Sequence, residues 1–591
     1  MLVDIREATR LLKLGRVVAF PTETAFALGA DATNSRAVEQ VYHTKKRLHN
    51  KKMPILVENL EQLATIMEVP EVVRYLSDKL HPGPLNITVS TRYPWVGSFR
   101  ISSDRTAREL VRAVGKPLIA TSANLSGKPH GYTHQEVQSQ FDLPVVKGTG
   151  ATKCPRLPVS TIFNPDTERF IRIGSIHKNH VLKHYYAFRA LEKIRPDKVK
   201  KKLVGEIVKE VTEVTKKIHP EVICGGSVAK ETYLNDLRDI DFFFMFDRKD
   251  FPDGNLEGAL EILKKAAGKF GRVEVDYAQH PYVKVKWKGI DLEFVAAYKT
   301  RKGEVLSATD RSIWHVQWVS QLDRAMKDEI MIAKQFCKGV GVYGAELEVE
   351  GFSGYAIEVL VAKYGGFVGF LEGMVTRKWP VREKDPVDSK RNVLASVGLD
   401  SFLRLREASR DYLEHPTKWF FFPKKVKIRD RLGLMKRWTL VQFKKPKGLV
   451  DDAVWGMSKR YAKKISRIAK REGYIVKRHA VFVERQVIVI FELEEVKKEV
   501  NVEIGPPKSE YDHYKSFEER HPDAFEVADR KWVFVKPRFR DFGELVRGVD
   551  DKIGIPEIFM TSRIQKAYQG YYEKEKQFVC EFLENLKPWQ R

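Results

Sequence analysis

The sequence predicts a multidomain protein of mixed α/β and α+β architecture. Its 591 residues correspond to about four domains of roughly 150 residues each. A content of 43% apolar and 11% aromatic residues supplies side chains for several cores, and β-branched runs alternate with helical stretches along the chain. These observations exclude a single compact fold, a disordered chain and a fibrous repeat.

The charge balance predicts a polyanionic partner. Lys and Arg number 104 against 78 Asp and Glu, which gives a formal net charge of +26. Such an excess favours nucleic acid over a membrane. The N-terminus is too acidic for a targeting peptide, no apolar run reaches a bilayer span, and the four cysteines lie far apart. We therefore expect a cytoplasmic protein with no membrane partner.

The N-terminal part predicts an α/β domain with a twisted sheet over residues 1–178, followed by a linker over residues 179–190. Short β-branched runs at 16–20, 117–121 and 159–163 are typical of strands. A basic stretch rich in His and Tyr then breaks the pattern. Pro196 suits the start of a long amphipathic helix, with which the next domain begins.

The remaining chain predicts three further parts: an α+β head over residues 191–322, a helical neck over residues 323–425, and an α+β body and tail over residues 426–591. In the head, strands at 222–225 and 239–246, a helix at 256–270 and two more strands ending near Tyr298 indicate a mixed sheet. In the body, a strand at 438–443, a basic helix at 454–472 and a hairpin of 474–483 with 487–493 give the order β-α-β-β.

Paired carboxylates in the head carry the strongest chemical signal. The turn Gly225-Gly226-Ser227 offers free amides and close backbone approach for phosphate oxygens. Asp239 and Asp241 alternate along one strand and therefore share a face. An Asp-x-Asp pair is often a solvated edge, but the apolar run after Asp241 indicates a buried strand, where unpaired acids are costly. The pattern favours a magnesium site of the two-metal type that holds a triphosphate.

A third carboxylate is expected from a neighbouring strand. Asp291 and Glu293 in the sequence Gly-Ile-Asp-Leu-Glu-Phe-Val share one face of such a strand. The spacing does not choose between them.

Further motifs make residues from about 189 to 591 similar to a known family, the archaeal-type class I CCA-adding tRNA nucleotidyltransferases of the polymerase β superfamily. The motifs that carry the resemblance are His280-Pro281-Tyr282-Val283, Asp310-Arg311 with His315, Val342–Glu346, Gly351–Tyr355, Asp385–Asp388, Lys390–Val393, Leu449–Asp452 and Gly505–Pro507. The resemblance implies a polymerase β-type nucleotidyltransferase head. It also implies that CTP and ATP are used to complete the 3′ end of tRNA.

The same resemblance implies roles for individual residues. Asp239, Asp241 and Glu293 would be the catalytic metal ligands, and Arg391 would help to read the incoming base together with the tRNA backbone. The nucleotide would be bound by Ser227, Lys230, His315, Lys334 and Tyr343. His315 lies between Trp314 and Trp318 on a predicted helix, where a packed histidine is the structural alternative to a ligand. The family's third ligand is usually Asp, and this chain has Glu293 there.

Two basic segments predict a tRNA surface. One runs from Lys424 to Lys447, and the other is the helix Met457–Ile468. In that helix Tyr461, Ile465 and Ile468 form an inward stripe while Lys and Arg cover the remaining faces. The alternative is an ordinary solvated helix, but the net charge favours contacts to the phosphate backbone.

The N-terminal domain resembles the threonylcarbamoyl-AMP synthase family, which uses threonine, bicarbonate and ATP. The resemblance is carried by Pro21–Ala32, Lys45–Arg47, Pro82–Leu85 and Thr121–Gly127. It implies a substrate site lined by Thr24, Lys45, Arg47, Ser122, Asn124, Ser160 and Arg172. Departures are Phe26-Ala27 in place of Tyr-Gly, the unusual His81 and Asn86, and Ser102–Arg105 in place of a Pro and a His.

We therefore predict a magnesium-dependent CCA-adding enzyme with a second, threonylcarbamoyl-adenylate-forming activity. The alternative is a nucleotidyltransferase that adds only A or only C, with the N-terminal domain a non-catalytic RNA-binding scaffold. A pure binding protein is disfavoured because it has no use for clustered acids. The expected partner is tRNA and not DNA, and a homodimer is compatible with this interpretation. Whether the two sites communicate is left open.

Overall fold

The structure is a computed structural model of the chain. It describes residues 1–147, 158–252, 256–277, 281–301, 304–307, 309–424, 438–494, 501–535, 539, 541–549, 553–554, 557–560, 570–584 and 587–590. His280, Cys154 and most of the basic segment 424–447 therefore lie outside the described residues.

The N-terminal domain is built on one ten-stranded sheet of order β1-β8-β2-β3-β7-β4-β6-β5-β9-β10. Its strands are β1 Leu2–Val3, β2 Val18–Phe20, β3 Ala27–Asp31, β4 Met53–Leu56, β5 Leu85–Thr88, β6 Val96–Arg100, β7 Leu118–Ser122, β8 Val145–Val146, β9 Thr161–Asn164 and β10 Arg169–Arg172. Its helices are α1 Ile5–Lys13, α2 Ser35–Lys45, α3 Leu60–Ala64, α4 Glu71–Leu80, α5 Arg105–Val114 and α6 His134–Gln138.

Helices cover both faces of this sheet. Helices α1 and α5 pack on one face in a small core, while α2, α3 and α4 pack on the other in a larger core. Side-chain caps start the helices: Asp4 begins α1, Asn34 begins α2 and Asp104 begins α5. The α/β prediction for this domain is confirmed, and the two-sided cover accounts for strands that are apolar along their whole length.

The segment expected to be a linker is a helix, α7 Lys178–Ile194. Val181 and Tyr185 of α7 belong to the core of the N-terminal domain, whereas Leu191 and Ile194 belong to the core of the neck. Its His and Lys residues gave the sequence a linker-like composition, but its apolar residues recur at helical spacing and are buried on two partners. Asp197 caps the next helix, α8 Lys198–Thr215.

The head contains a five-stranded mixed sheet of order β11-β12-β15-β14-β13. Its elements after α8 are β11 Val222–Cys224, α9 Gly226–Ala229, β12 Asp239–Phe246, a 3-10 turn at Leu256–Ala259, α10 Leu260–Ala267, β13 Val273–Tyr277, β14 Pro281–Trp287 and β15 Ile290–Tyr298. Strands β12 and β15 are parallel and the other pairs are antiparallel. The mixed sheet is confirmed, although three strands and not two follow α10.

The neck is a helical domain around the largest core of the described residues. Its helices are α12 Arg324–Val340, α13 Gly354–Lys363, α14 Phe367–Thr376 and α15 Leu399–Glu414, followed by a 3-10 turn at Lys418–Phe420. They follow α11 Arg311–Ser320, whose Ile313 packs against β12 and β15 of the head. Asp323 caps α12 and Ser353 caps α13, and α12 ends at Gly341 in the left-handed conformation.

The body and tail contain two small sheets, of order β17-β18-β16-β22 and β19-β21-β20. Their elements are β16 Trp438–Lys444, α16 Asp451–Arg471, β17 Ile475–Val483, β18 Gln486–Glu494, β19 Asn501–Pro507, α17 Tyr511–Arg520, β20 Phe525–Val527, β21 Arg530–Val535, α18 Phe542–Arg547, β22 Glu557–Met560 and α19 Glu573–Glu584, with a 3-10 turn at Pro588–Gln590. The predicted order β-α-β-β is confirmed, as is the inward stripe of Tyr461, Ile465 and the half-buried Ile468 on α16.

Within the described ranges no single helix is long and apolar enough to span a membrane. By length and composition alone, α13 and α14 pass that test only as a pair, which is bent by 94°.

Candidate active sites

The predicted carboxylates of the head meet on two adjacent parallel strands. In the register of β12 and β15, Asp239 lies opposite Asp291, and Asp241 lies opposite Glu293. The alternate residues Ile240, Phe242 and Phe244 are buried in the core beneath. Because the two strands run parallel with this register, four acids share one face of the sheet.

The glycine turn packs directly against this face. Gly226 has a φ of +57°, and a Cβ there would lie 1.7 Å from an Asp241 carboxylate oxygen. At Gly225 a Cβ would lie 2.2 Å from the ring of Phe243. Only glycine fits at either position, so the turn brings its backbone against the carboxylates.

The electrostatics of this face favour a bound cation. Burial, then the charges of Glu293 and Asp239, raise the pKa of Asp241 to about 7, against the opposing effect of Lys230. Burial also raises the pKa of Glu293, although its carboxylate is 2.9 Å from the Lys284 ammonium. Hard oxygen donors with uncompensated charge are the set that magnesium prefers, so Asp239 and Asp241 fit such an ion.

Of the predicted metal ligands, Glu293 is the one that already has a lysine partner in the described part of the chain. It is bonded to Lys284, and among the described residues no three His, Cys, Asp or Glu side chains are gathered as a metal site. Asp291, opposite Asp239, lies on the same face of the sheet and stays the alternative third ligand.

Beside the carboxylates lies a cavity of about 500 Å³ between head and neck. Four predicted residues line it, namely Ser227, Asp239, Lys334 and Tyr343, and Thr232 and Lys338 join them. Lys230 and Lys334 are both bonded to Glu358, at 2.9 and 2.7 Å. The cavity therefore combines an amide-bearing turn, hydroxyl groups and lysines, which suits a polyphosphate.

The other two predicted nucleotide-binding residues, His315 and Arg391, both bind a second acid, Asp385. Asp385 accepts from His315 Nε2 at 3.0 Å and from Arg391 Nη1 at 2.9 Å, and its other oxygen accepts from the Tyr355 hydroxyl at 2.9 Å. The His315 ring stacks on Tyr355 with centroids 3.6 Å apart. Burial lowers the pKa of His315 against the pull of Asp385. Arg391 also lines a neighbouring cavity of about 620 Å³.

Sequence reasoning missed both acids that organise these cations. Glu358 is the one charged residue between Gly354 and Lys363, in an otherwise apolar helix, and that isolation was an available signal. Asp385 lay within a quoted motif but had no role assigned to it.

The N-terminal domain contains a cavity of about 410 Å³ at the strand ends. Five predicted residues line it: Thr24, Arg47, Ser122, Ser160 and Arg172. The other two lie behind it. The Lys45 ammonium donates to the backbone oxygens of Ser122 and Asn124, and burial lowers its pKa to about 7. The Asn124 amide donates to backbone oxygens of its own loop.

Further polar residues of this cavity were not predicted. Asn86 donates to the Ser160 hydroxyl at 2.7 Å, and Arg172 donates to the same oxygen at 2.9 Å. Arg100 is buried and paired with Glu23 at 2.8 Å, and Lys52 and His130 also line the cavity. Asn86 lies two residues after Pro84 of the Pro-Gly-Pro block, and Arg100 ends a β-strand, so both had a positional signal.

Comparison with known families finds matches in three parts of the chain. Residues 328–384 and 374–422 match the family described as "tRNA nucleotidyltransferase, second domain", and residues 436–555 match "CCA-adding enzyme, C-terminal domain". Residues 10–174 match the Sua5/YciO/YrdC family, described as "Telomere recombination". The head, neck and body thus define a tRNA nucleotidyltransferase that carries a Sua5/YrdC domain at its N-terminal end.

Two curated relatives, both CCA-adding enzymes, identify the family to which the chain belongs. The CCA-adding enzyme of Saccharolobus islandicus is 30% identical over 425 residues, which cover 68% of this chain and 98% of that enzyme. The CCA-adding enzyme of Sulfolobus acidocaldarius is 33% identical over 302 residues, which cover 48% of this chain and 70% of that enzyme. The chain belongs to the CCA-adding enzyme family.

Solved structures resemble single parts of the chain. P. abyssi Sua5 complexed with L-threonine is 26% identical, with coverage of 28% of this chain and 54% of that chain and a TM-score of 0.26. The Cid1 poly (U) polymerase, bound to Mg and 3′-dATP, is 12% identical, with coverage of 39% and 92% and a TM-score of 0.32. The chain thus spans little more than half of the Sua5 structure.

Proposed function

We propose that this chain adds C, C and A to the 3′ end of tRNA from CTP and ATP, without a template and with magnesium. The observation that carries the proposal is the pairing of Asp241 with Glu293 in register, next to Asp239 and beneath the Gly225–Ser227 turn. Burial and neighbouring acids raise the pKa of Asp241 to about 7, so a bound cation would favour its ionised form, and the adjoining cavity suits a triphosphate.

In this proposal the head residues divide the work of nucleotidyl transfer. Asp239 and Asp241, with Glu293 as the third ligand, would hold the metal pair, which supplies Lewis-acid activation of the 3′-hydroxyl and charge neutralisation at the phosphates. The 3′-oxygen of tRNA forms a bond to the α-phosphorus as the bond to the pyrophosphate leaving group breaks, and the hydroxyl proton passes to solvent. Ser227, Lys230, Lys334 and Tyr343 would orient the triphosphate for this in-line displacement.

Base selection is assigned to the group around Asp385. Arg391 presents a planar set of donors to the acceptors of a base edge, and its bond to Asp385 limits its orientations. His315 adds a flat surface stacked on Tyr355. We place the tRNA backbone along the basic outer face of α16, where Lys463 and Arg467 are exposed.

The test is to supply a tRNA that lacks its terminal CCA with CTP and ATP together, and to sequence the extended 3′ ends. We expect the sequence CCA in the presence of magnesium. Products that contain only A or only C would support the narrower transferase instead. DNA primers should not be extended. Sedimentation of the pure protein tests the homodimer, and cell fractionation tests the cytoplasmic location.

For the N-terminal cavity we propose formation of threonylcarbamoyl adenylate from threonine, bicarbonate and ATP. The supporting observation is that Arg47, Arg100 and Arg172 line one cavity, where Glu23 pairs with Arg100, an arrangement suited to anionic substrates. Incubation with labelled bicarbonate, threonine and ATP should give the labelled adenylate and pyrophosphate. Absence of product would favour an RNA-binding scaffold.

A further inference from the structure

A single buried carboxylate joins two nucleotide-site lysines that come from different domains. Glu358 on α13 of the neck is 1% exposed. Its Oε2 accepts from Lys230 of the head at 2.9 Å, and its Oε1 accepts from Lys334 of α12 at 2.7 Å. Thr232 of the head donates to the same Oε1 at 2.8 Å and accepts from Lys334 at 2.9 Å. Both carboxylate oxygens thus accept hydrogen bonds, one at Oε2 and two at Oε1.

The charges of this cluster are arranged for a further anion. Two lysines share one carboxylate, which gives the cluster a formal charge of +1, and Lys334 of the cluster lines the cavity. Burial alone would raise the pKa of Glu358, but the two lysines hold it well below its usual range, so the carboxylate is ionised. Burial lowers the pKa of Lys334, and the charge of Glu358 opposes that effect.

The cluster also lies where head and neck meet. Three lysines of α12 bond to the head: Lys327 to Glu231 at 3.0 Å, Lys334 to Thr232, and Lys338 to Asp236 at 3.1 Å. The first and last of these pairs have a partner that is more than half exposed, so solvent screens them. The buried pairs at Glu358 are the ones that fix a distance between the two domains.

We infer that Glu358 is a positioning residue of the transferase, which clamps Lys230 of the head to Lys334 of the neck so that a triphosphate meets a preformed pair of cations. This inference rests on the proposed nucleotide site. Glu358 touches neither the nucleotide nor the metal in this assignment and acts through the lysines. Without it the two ammonium groups repel each other, and each incoming nucleotide has to draw them together.

A simple counter-charge role for Glu358 predicts the opposite change in nucleotide affinity. If Glu358 served only to neutralise the lysines, its removal would leave a more positive cavity, and triphosphates would bind more tightly. If Glu358 served only the fold, its removal would lower the melting temperature and leave nucleotide binding unchanged. The direction of the change in nucleotide affinity therefore separates the three roles.

The test compares Glu358→Gln with Glu329→Gln in the full-length protein. Glu329→Gln is the matched control, because it makes the same isosteric change at another buried carboxylate of the neck. The partners of Glu329 are Tyr75, Lys79 and the amide of Phe367, away from the cavity. Kd for CTP and for ATP is measured by equilibrium titration, and KM and kcat are measured separately with tRNA. Melting temperatures are recorded for both variants.

We expect Glu358→Gln to raise Kd and KM for CTP and ATP alike by about tenfold, with a smaller change in kcat and the same order of C and A addition. Glu358→Asp should recover part of the loss. Glu329→Gln should lower the melting temperature without a change in Kd. A Kd for Glu358→Gln that is unchanged or lower overturns the inference. A wild-type protein that binds CTP but adds no C would instead contradict the proposed function, since the Kd comparison does not depend on turnover.

Discussion

The N-terminal cavity and the carboxylate face of the head differ in how their acids are compensated. In the N-terminal cavity the buried acid Glu23 has Arg100 at 2.8 Å and a bond from Ser102, so its charge is matched by the protein. On the carboxylate face of the head, burial and two neighbouring acids raise the pKa of Asp241 to about 7. An acid with its own cation organises a binding site, whereas an acid among acids requires a cation from outside.

Asp241→Asn should separate the two sites most sharply. We expect loss of both C and A addition by at least about a thousandfold, because the metal loses a ligand, with tRNA binding nearly unchanged and adenylate formation intact. Extension of labelled tRNA measures the first, and filter binding measures the second. Asp247→Asn is the control, since Asp247 pairs with Lys299 at the surface. If Asp241→Asn still adds C and A to tRNA, Asp241 is not a metal ligand.

Arg172→Ala should give the converse pattern. Loss of a guanidinium that holds Ser160 in the N-terminal cavity should lower adenylate formation by about a hundredfold or more and leave CCA addition unchanged. The labelled-bicarbonate assay reports the first activity. Lys116→Met removes an exposed lysine that pairs with the buried Asp31 in the same domain, outside the cavity lining, and should change neither activity. Equal loss of both activities would show that the sites are coupled.

The third metal ligand can be assigned by comparing Glu293→Gln with Asp291→Asn. We expect Glu293→Gln to be nearly inactive and Asp291→Asn to be mild, because Glu293 lies opposite Asp241 and Asp291 lies opposite Asp239. Glu293→Asp should keep much of the activity. Single-turnover rates with magnesium give the ranking. The reverse ranking would move the third ligand two residues towards the start of β15.

Arg391→Ala should blur the choice between CTP and ATP more than it weakens tRNA binding. Removal of a bidentate donor costs about 1–3 kcal/mol of base discrimination, which is roughly a tenfold to hundredfold change. The ratio of kcat/KM for CTP and ATP at the last position measures it. If tRNA affinity falls uniformly and misincorporation does not rise, Arg391 is a backbone contact.

The smallest expected effect is on the salt dependence of tRNA binding, which should change with charges on α16 and not with charges on the N-terminal domain. Binding of tRNA should weaken steeply with salt, and the double variant Lys463→Glu/Lys464→Glu should flatten the slope of log K against log salt by about two units. The exposed N-terminal pair Lys13→Glu/Arg16→Glu carries the same change of charge and should leave the slope unaltered. An unchanged slope in the first variant would place the RNA path elsewhere.

The sequence predicted those features that depend on short-range pattern. The bounds of β12 were right because Asp239 and Asp241 flank Ile240 and an apolar run over 242–246 follows, and α16 was right because its stripe has helical spacing. The choice between Asp291 and Glu293 was not accessible, since it depends on the register of β12 against β15. Glu358 escaped notice for a related reason, because its partners lie 24 and 128 residues away.

The helix α7 has a consequence for any separation of the two halves. Val181 and Tyr185 complete the core of the N-terminal domain, whereas Leu191 and Ile194 complete the core of the neck. A cut before Val181 would expose apolar surface on the N-terminal domain, and a cut after Ile194 would expose it on the neck. A break that spares both cores therefore has to fall between Tyr185 and Ala187.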